Sequence, residues 1–171
     1  MALTTSTPTP DARPERVLVG GIGYRFLRDE SVGPYLADTL GPRAPEGVEV
    51  EDLGYHPVGL HQNLTDREPY DRVVIVSAPR RGREPGTITT YEWDHVLPSP
   101  EEIQIRVSEA VTGVIDLDGL LIVVGALGGF PDDVRIVEVE PGDEGWGDSF
   151  SELIASRLPA VEEAVWNSTR P

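Results

Sequence analysis

The sequence predicts an α/β three-layer sandwich, with a mostly parallel sheet of about five strands and helices on both faces. Three observations point there. Short β-branched runs, "RVLVG" and "RVVIVSA", recur along the chain, segments with helical spacing separate them, and glycine-bearing loops follow the runs. In such a sheet a site forms beyond the carboxyl ends of the strands, which directs attention to the loops after Gly20, Leu53, Ala78 and Leu127.

The first run, Arg16 to Gly20, reads as a strand; the helix after it places Val32, Leu36 and Leu40 at a spacing of four. "VEVEDL", Val48 to Leu53, alternates as a half-buried strand, whereas "RVVIVSA", Arg72 to Ala78, is continuous enough for a central strand buried on both faces. "GTITTYEW", Gly86 to Trp93, is a Thr- and aromatic-rich strand, expected at an edge with antiparallel pairing open to it. "SPEEIQIRVSEAVTG" is a helix: Ser99 caps it, Pro100 opens it, acids fill its first turn and Gly113 ends it. "LLIVVGAL", within the apolar run Gly119 to Phe130, reads as a second buried strand. Asp148 to Asn167 closes the chain as an amphipathic helix with Pro159 as a kink point.

Composition removes several chemistries. The 171 residues suit one domain, taken as 15–171, after a Thr- and Pro-rich segment at 1–14 that reads as a disordered tail without the features of a signal peptide. There is no cysteine, so thiol nucleophiles, zinc-thiolate sites and disulfides are out. All fourteen basic residues are arginine against thirty acids, a formal charge of −16, which disfavours nucleic-acid binding. Without lysine there is no Schiff base and no Walker amine. The longest apolar run is too short and too glycine-broken to span a membrane, and a cytoplasmic location is the expectation.

The stretch "GIGYRFLRDESVGPYLADTL", Gly21 to Leu40, carries the densest signal. A dinucleotide fingerprint would need glycine where Phe26 stands, so Gly21 and Gly23 read as a tight strand-to-helix turn; the missing glycine and the acids also disfavour a phosphate cradle. Asp29 and Glu30 alone would suit a helix N-terminus.

Taken together, however, Gly21, Gly23, Leu27, Asp29, Glu30 and Gly33 resemble the first loop of the hydrogenase maturation endopeptidases, with Tyr24 where that family usually has asparagine. The likeness runs on through "VEVEDLGYHPVGL", "VVIVSAPRRGREPGTITTYEWD", "SPEEIQIRVSEAV" and the terminal helix. It implies a phosphorylase/hydrolase-like sandwich that trims the carboxyl-terminal extension of a nickel-iron hydrogenase large-subunit precursor. It also implies three converging residues that recognise the nickel already in the substrate: a carboxylate in the first loop, an Asp ending the third strand, and a His in an "SPH" segment opening a helix. Glu30 keeps the first role. Ser77 stands at the second position and Glu101 at the third, so the resemblance implies altered metal recognition, through oxygen from Glu30 and Glu101.

Glu30, Ser77 and Glu101 are thus the expected catalytic set, with Glu30, Glu101 and His56 as metal contacts. His56 is the histidine in a loop at the carboxyl edge; His61 reads as a helix-surface residue and His95 follows the "TTYEW" strand. Gly23, Tyr24, Asp29, Asp52, Arg80 and Arg81 are the expected substrate contacts. Arg80, Arg81 and Arg83 read either as a solvated run or as a grip for a carboxylate. Ser77 lacks the flanking glycines of a nucleophile elbow, and the Asn63 and Asn167 glycosylation patterns mean little without a secretion signal. The metal, nickel or another divalent ion, is expected on the substrate, with no tightly held cofactor. The expected partner is the large-subunit precursor or a related protein. The reading from a second class is a non-catalytic relative that serves as an assembly factor or scaffold.

Overall fold

The computed structural model describes residues 15–113 and 115–171; the tail expected at 1–14 lies outside them. A five-stranded sheet runs in the order β2-β1-β3-β5-β4, built from β1 (Val17–Gly21), β2 (Val48–Asp52), β3 (Arg72–Ser77), β4 (Ile88–Glu92) and β5 (Asp133–Val139). β1 pairs in parallel with β2 and β3, and β3 with β5; β4 is antiparallel to β5 at the edge. The "TTYEW" strand therefore takes the edge position and reversed direction open to it in the sequence.

Strand alternation divides the core in two. Val17, Val19, Val74, Val76, Val137 and Val139 face α1 (Val32–Leu40) and α5 (Glu152–Ser168), burying Leu36, Leu40, Ile154, Val161 and Val165. Leu18, Val73, Ile75, Val134 and Ile136 face α2 (Pro57–Thr65) and α4 (Leu117–Ala126), burying Leu60, Leu64, Leu117, Leu120 and Val124. Each such leucine contributes roughly 1.5–3 kcal/mol. α3 (Pro100–Thr112) lies outside α4 and buries none of its own residues. As expected, Ser99 caps α3 by accepting from Glu102 N–H, and Gly113 ends it at φ 78°.

One element is corrected. "LLIVVGAL" is not a strand but most of α4, and the missing strand is β5, "DVRIVEV". Asp116 accepts from Gly119 N–H at 2.7 Å, and this N-cap starts a helix apolar on nearly every side because sheet and α3 enclose it. The correction reverses a direction. Leu127 lies at the amino ends of the strands, and the loop that follows β5 at the carboxyl edge is 140–151. α5 starts at Glu152 rather than Asp148, with Ser151 as its N-cap, and continues through an exposed Pro159. No helix among the described residues is long and apolar enough to cross a membrane.

Candidate functional site

The loop after β1 is built around backbone contacts that admit no side chain. A Cβ on Gly21 would sit 2.2 Å from Gly33 O, and one on Gly23 would sit 2.3 Å from Glu30 O. α1 thus crosses the end of β1 in direct backbone contact, and the three glycines close the loop on itself. A short helical turn, Arg28–Ser31, then sets Asp29 inward and Glu30 toward the carboxyl edge.

Asp29 is fully buried and does not face the cleft, which corrects its expected place among substrate contacts. It accepts from Gly142 N–H at 2.9 Å, Asp143 N–H at 2.7 Å, Ser151 N–H at 2.8 Å and Ser151 Oγ at 2.8 Å. These bonds fasten the first loop to the loop after β5.

Glu30 opens onto a cleft of about 260 Å³ together with Tyr24, Tyr55, Arg80, Asp116 and Glu144. Burial pushes the Glu30 carboxyl up, a hydrogen bond and the like charge of Glu144 push it further, and Arg80 opposes them. Arg80 is ion-paired to Glu144. The Tyr24 and Tyr55 rings meet at 4.7 Å, and burial pushes the Tyr55 phenol up to about 12. Ser77 lies beneath, at the end of β3: it is 1% exposed, its Oγ makes no hydrogen bond of good geometry, and its nearness to the Tyr55 hydroxyl only partly offsets the effect of burial on that phenol.

Not every expected residue arrives. β4 runs antiparallel, so the chain leaves it at the amino edge, where Trp93 N–H donates to Val134 O and the indole lies against Gly125 near the end of α4. α3 starts from that side and climbs back, which leaves exposed Glu101 at the foot of the helix, away from Glu30. The helix that opens onto the cleft is α4, and the acid at its start is Asp116. His56 is the exposed N-cap of α2 and is not among the cleft-lining residues; its neighbour Tyr55 is. Asp52 sits at the carboxyl end of β2 but is engaged by Arg25 at 2.7 Å, as a tether of the first loop.

The arginine run divides by role. Arg81 is held by Asp118 at 2.7 and 2.8 Å and by Glu138 at 2.7 and 3.1 Å, so its guanidinium is committed, although the residue borders the cleft. Arg83 bonds Glu138 at 2.7 Å, and Tyr91 OH donates to Glu138 at 2.9 Å. Burial pushes Glu138 up, yet Arg81, Arg83 and Tyr91 outweigh it and hold the carboxyl below its ordinary value. Glu140, also buried, accepts from the backbone N–H groups of Arg81 and Gly82. Two buried acids, Glu138 on β5 and Glu140 just beyond it, thereby shape the basic loop, and Arg80 is the member that turns over the cleft.

Tyr55, Asp116 and Glu144 were missing from the sequence reading. Asp116 and Glu144 depend on identifying α4 and β5 correctly; Tyr55 lay in a loop singled out for attention, beside the histidine that drew it. Among the described residues no three His, Cys, Asp or Glu are grouped so as to hold a metal ion by themselves.

This fold is shared with solved hydrogenase maturation endopeptidases. The hydrogenase maturating endopeptidase HybD from E. coli superposes with a TM-score of 0.68 and 21% identity, over 91% of this chain and 92% of that one. The hydrogenase 2 maturation peptidase from Thaumarchaeota archaeon gives 0.62 and 23%, over 91% and 98%. In sequence, the chain is 26% identical over 154 residues to the hydrogenase expression/formation protein HupD of Rhizobium leguminosarum bv. viciae, covering 88% of this chain and 72% of that protein. The resemblance read from Gly21 to Gly33 therefore holds in fold and along the chain. No family model matches it.

Proposed function

We propose that this chain is an endopeptidase that trims the carboxyl-terminal extension of a nickel-iron hydrogenase large-subunit precursor, in the cytoplasm, with an altered way of recognising the metal the precursor carries. The observation that carries this reading is the meeting of Glu30, Asp116 and Glu144 with Arg80 in one cleft, at the carboxyl edge of a maturation-endopeptidase fold. Glu30 and Asp116 offer oxygen to the substrate's metal, and Glu144 is free to do so when Arg80 releases it. Arg80 is also placed to pair with a carboxylate of the extension. Incubating nickel-loaded precursor with the protein tests the reading: wild type shortens it, Glu30→Gln does not, and an unshortened precursor with both counts against catalysis.

A second reading, a non-catalytic assembly factor that binds the precursor, is favoured by one observation: Ser77 and Glu101 stand where the family pattern has its strand-end Asp and its imidazole, and among the described residues no histidine lines the cleft. Titration with nickel or zinc separates the two. Micromolar binding lost in Glu30→Ala speaks for a metal-contacting cleft; silence with intact precursor binding speaks for the assembly factor.

A further inference from the structure

Beside the Glu30 cleft runs a second depression, of about 270 Å³, whose walls are aromatic: Phe26, Tyr35 and Phe150, with Pro34 at the floor. Phe26 is 63% exposed and Tyr35 41%, large apolar rings left open to water. Phe26 is also held at φ 66°, a left-handed backbone that a bulky residue adopts at a cost. The fold enforces it: Gly147 N–H donates to Phe26 O at 2.9 Å and Arg28 N–H to Gly147 O at 3.2 Å. The Tyr35 ring meets Phe150 edge-on at 5.1 Å, fixing the opposite wall. The structure therefore spends backbone strain to present an aromatic ring outward.

The groove and the cleft share a wall, the loop 24–31. Tyr24 and Glu30 line the cleft, whereas Arg25, Phe26 and Ser31 line the groove, so one loop serves both. Ser31 Oγ donates to Tyr24 O at 2.9 Å and accepts from Leu27 N–H at 3.2 Å, which keeps the wall in shape. Two or three residues of an extended polypeptide, at about 3.3 Å each, span such a wall.

Charge at the rim selects the occupant. The Arg25 guanidinium is taken up by Asp38, at 2.7 and 3.0 Å, and by Asp52. Asp148 lines the groove with no ion pair or hydrogen bond from another described residue. Asp38 and Asp148 line the groove against the single arginine Arg25, whose guanidinium is already shared with Asp52, so the rim is negative within a chain of formal charge −16.

We propose that this groove is a docking subsite for the polypeptide substrate, a role that rests on the Glu30 cleft acting on a polypeptide, and that it takes an apolar side chain flanked by a basic residue. An apolar side chain fills the space between Phe26 and Tyr35, and the basic neighbour meets Asp148.

Fluorescence anisotropy with the full chain tests this, using labelled Gly/Ser peptides that carry Leu-Arg, Leu-Glu or Ser-Arg at their centre. The Leu-Arg peptide should bind about tenfold tighter than either of the others. Phe26→Asn removes the ring while asparagine tolerates the left-handed backbone, so the variant stays folded and loses about tenfold for Leu-Arg. Asp148→Lys shifts preference toward Leu-Glu. Equal binding of the three peptides, no binding of Leu-Arg, or unchanged binding by Phe26→Asn overturns the subsite. Leu-Arg docking with a precursor that is never shortened would instead leave the groove standing and sink the proteolytic reading.

Discussion

The carboxylate of Asp29 holds both polar hydrogens of Ser151: the backbone N–H at 2.8 Å on Oδ1 and the hydroxyl at 2.8 Å on Oδ2. Ser151 in turn caps α5 by accepting from Ile154 N–H at 3.3 Å. The first loop, the loop after β5 and the last helix are therefore locked through one buried acid, and the position of Glu30 depends on it. Asp29→Ala removes, in one step, the buried acceptor of the part-buried N–H groups of Gly142, Asp143 and Ser151 and of the Ser151 hydroxyl, each bond to a charged group contributing about 1.5–3 kcal/mol before water replaces part of it. Urea unfolding should show a loss of about 3 kcal/mol or more. A loss below about 1 kcal/mol would mean that the clamp is dispensable.

Glycines in this chain fall into two groups that unfolding experiments should separate. Gly21→Ala drives a methyl group to 2.2 Å from the Gly33 carbonyl oxygen, so the crossing of β1 and α1 must open; a cost above about 3 kcal/mol, or failure to fold, is expected. Gly82→Ala meets nothing within 4 Å and costs only the strain of a left-handed backbone at φ 75°, about 1 kcal/mol. Similar losses at both positions would contradict the packing account.

Two acids should give opposite pH signatures in chemical denaturation. Glu138 lies below its ordinary value because Arg81, Arg83 and Tyr91 outweigh burial, so its stabilisation is present above the unfolded pKa of about 4.3 and fades as pH falls through the lower folded value. Glu138→Gln should therefore hurt most at neutral pH, with the gap closing in acid. Glu30 is raised by burial and by Glu144, so its contribution is complete below about pH 4.3 and lost as pH rises through the higher folded value. Glu30→Gln should match wild type in acid and equal or exceed it at neutral pH. A neutral-pH loss at Glu30 would show that its ionised form is stabilised by contacts other than these.

Much of the fold was legible because local chemistry and tertiary environment agree. β3 is apolar at nearly every position and central; β4 is half-exposed and at the edge; Ser99, Pro100 and Gly113 start and stop α3 as their side chains dictate. The "LLIVVGAL" run reads as a strand because a short apolar segment buried on all sides carries no period; what makes it a helix is the N-cap at Asp116, four residues before the run. β5 was hidden by charge: Arg135 and Glu138 interrupt its apolar pattern, and Glu138 is buried only because Arg81, Arg83 and Tyr91 satisfy it. Losing β5 cost the loop that carries Glu144, and losing α4 cost Asp116. Glu30 was found because its loop has a sequence signature, whereas its companions are assembled by topology.

The most direct measurement of the central claim is the intact mass of a nickel-loaded large-subunit precursor after incubation with the protein, with Glu30→Gln and Asp116→Asn in parallel. A discrete loss of the carboxyl-terminal extension with wild type, abolished by Glu30→Gln and reduced at least about tenfold by Asp116→Asn, is the predicted result. An unchanged mass with wild type, or full shortening by Glu30→Gln, would contradict it.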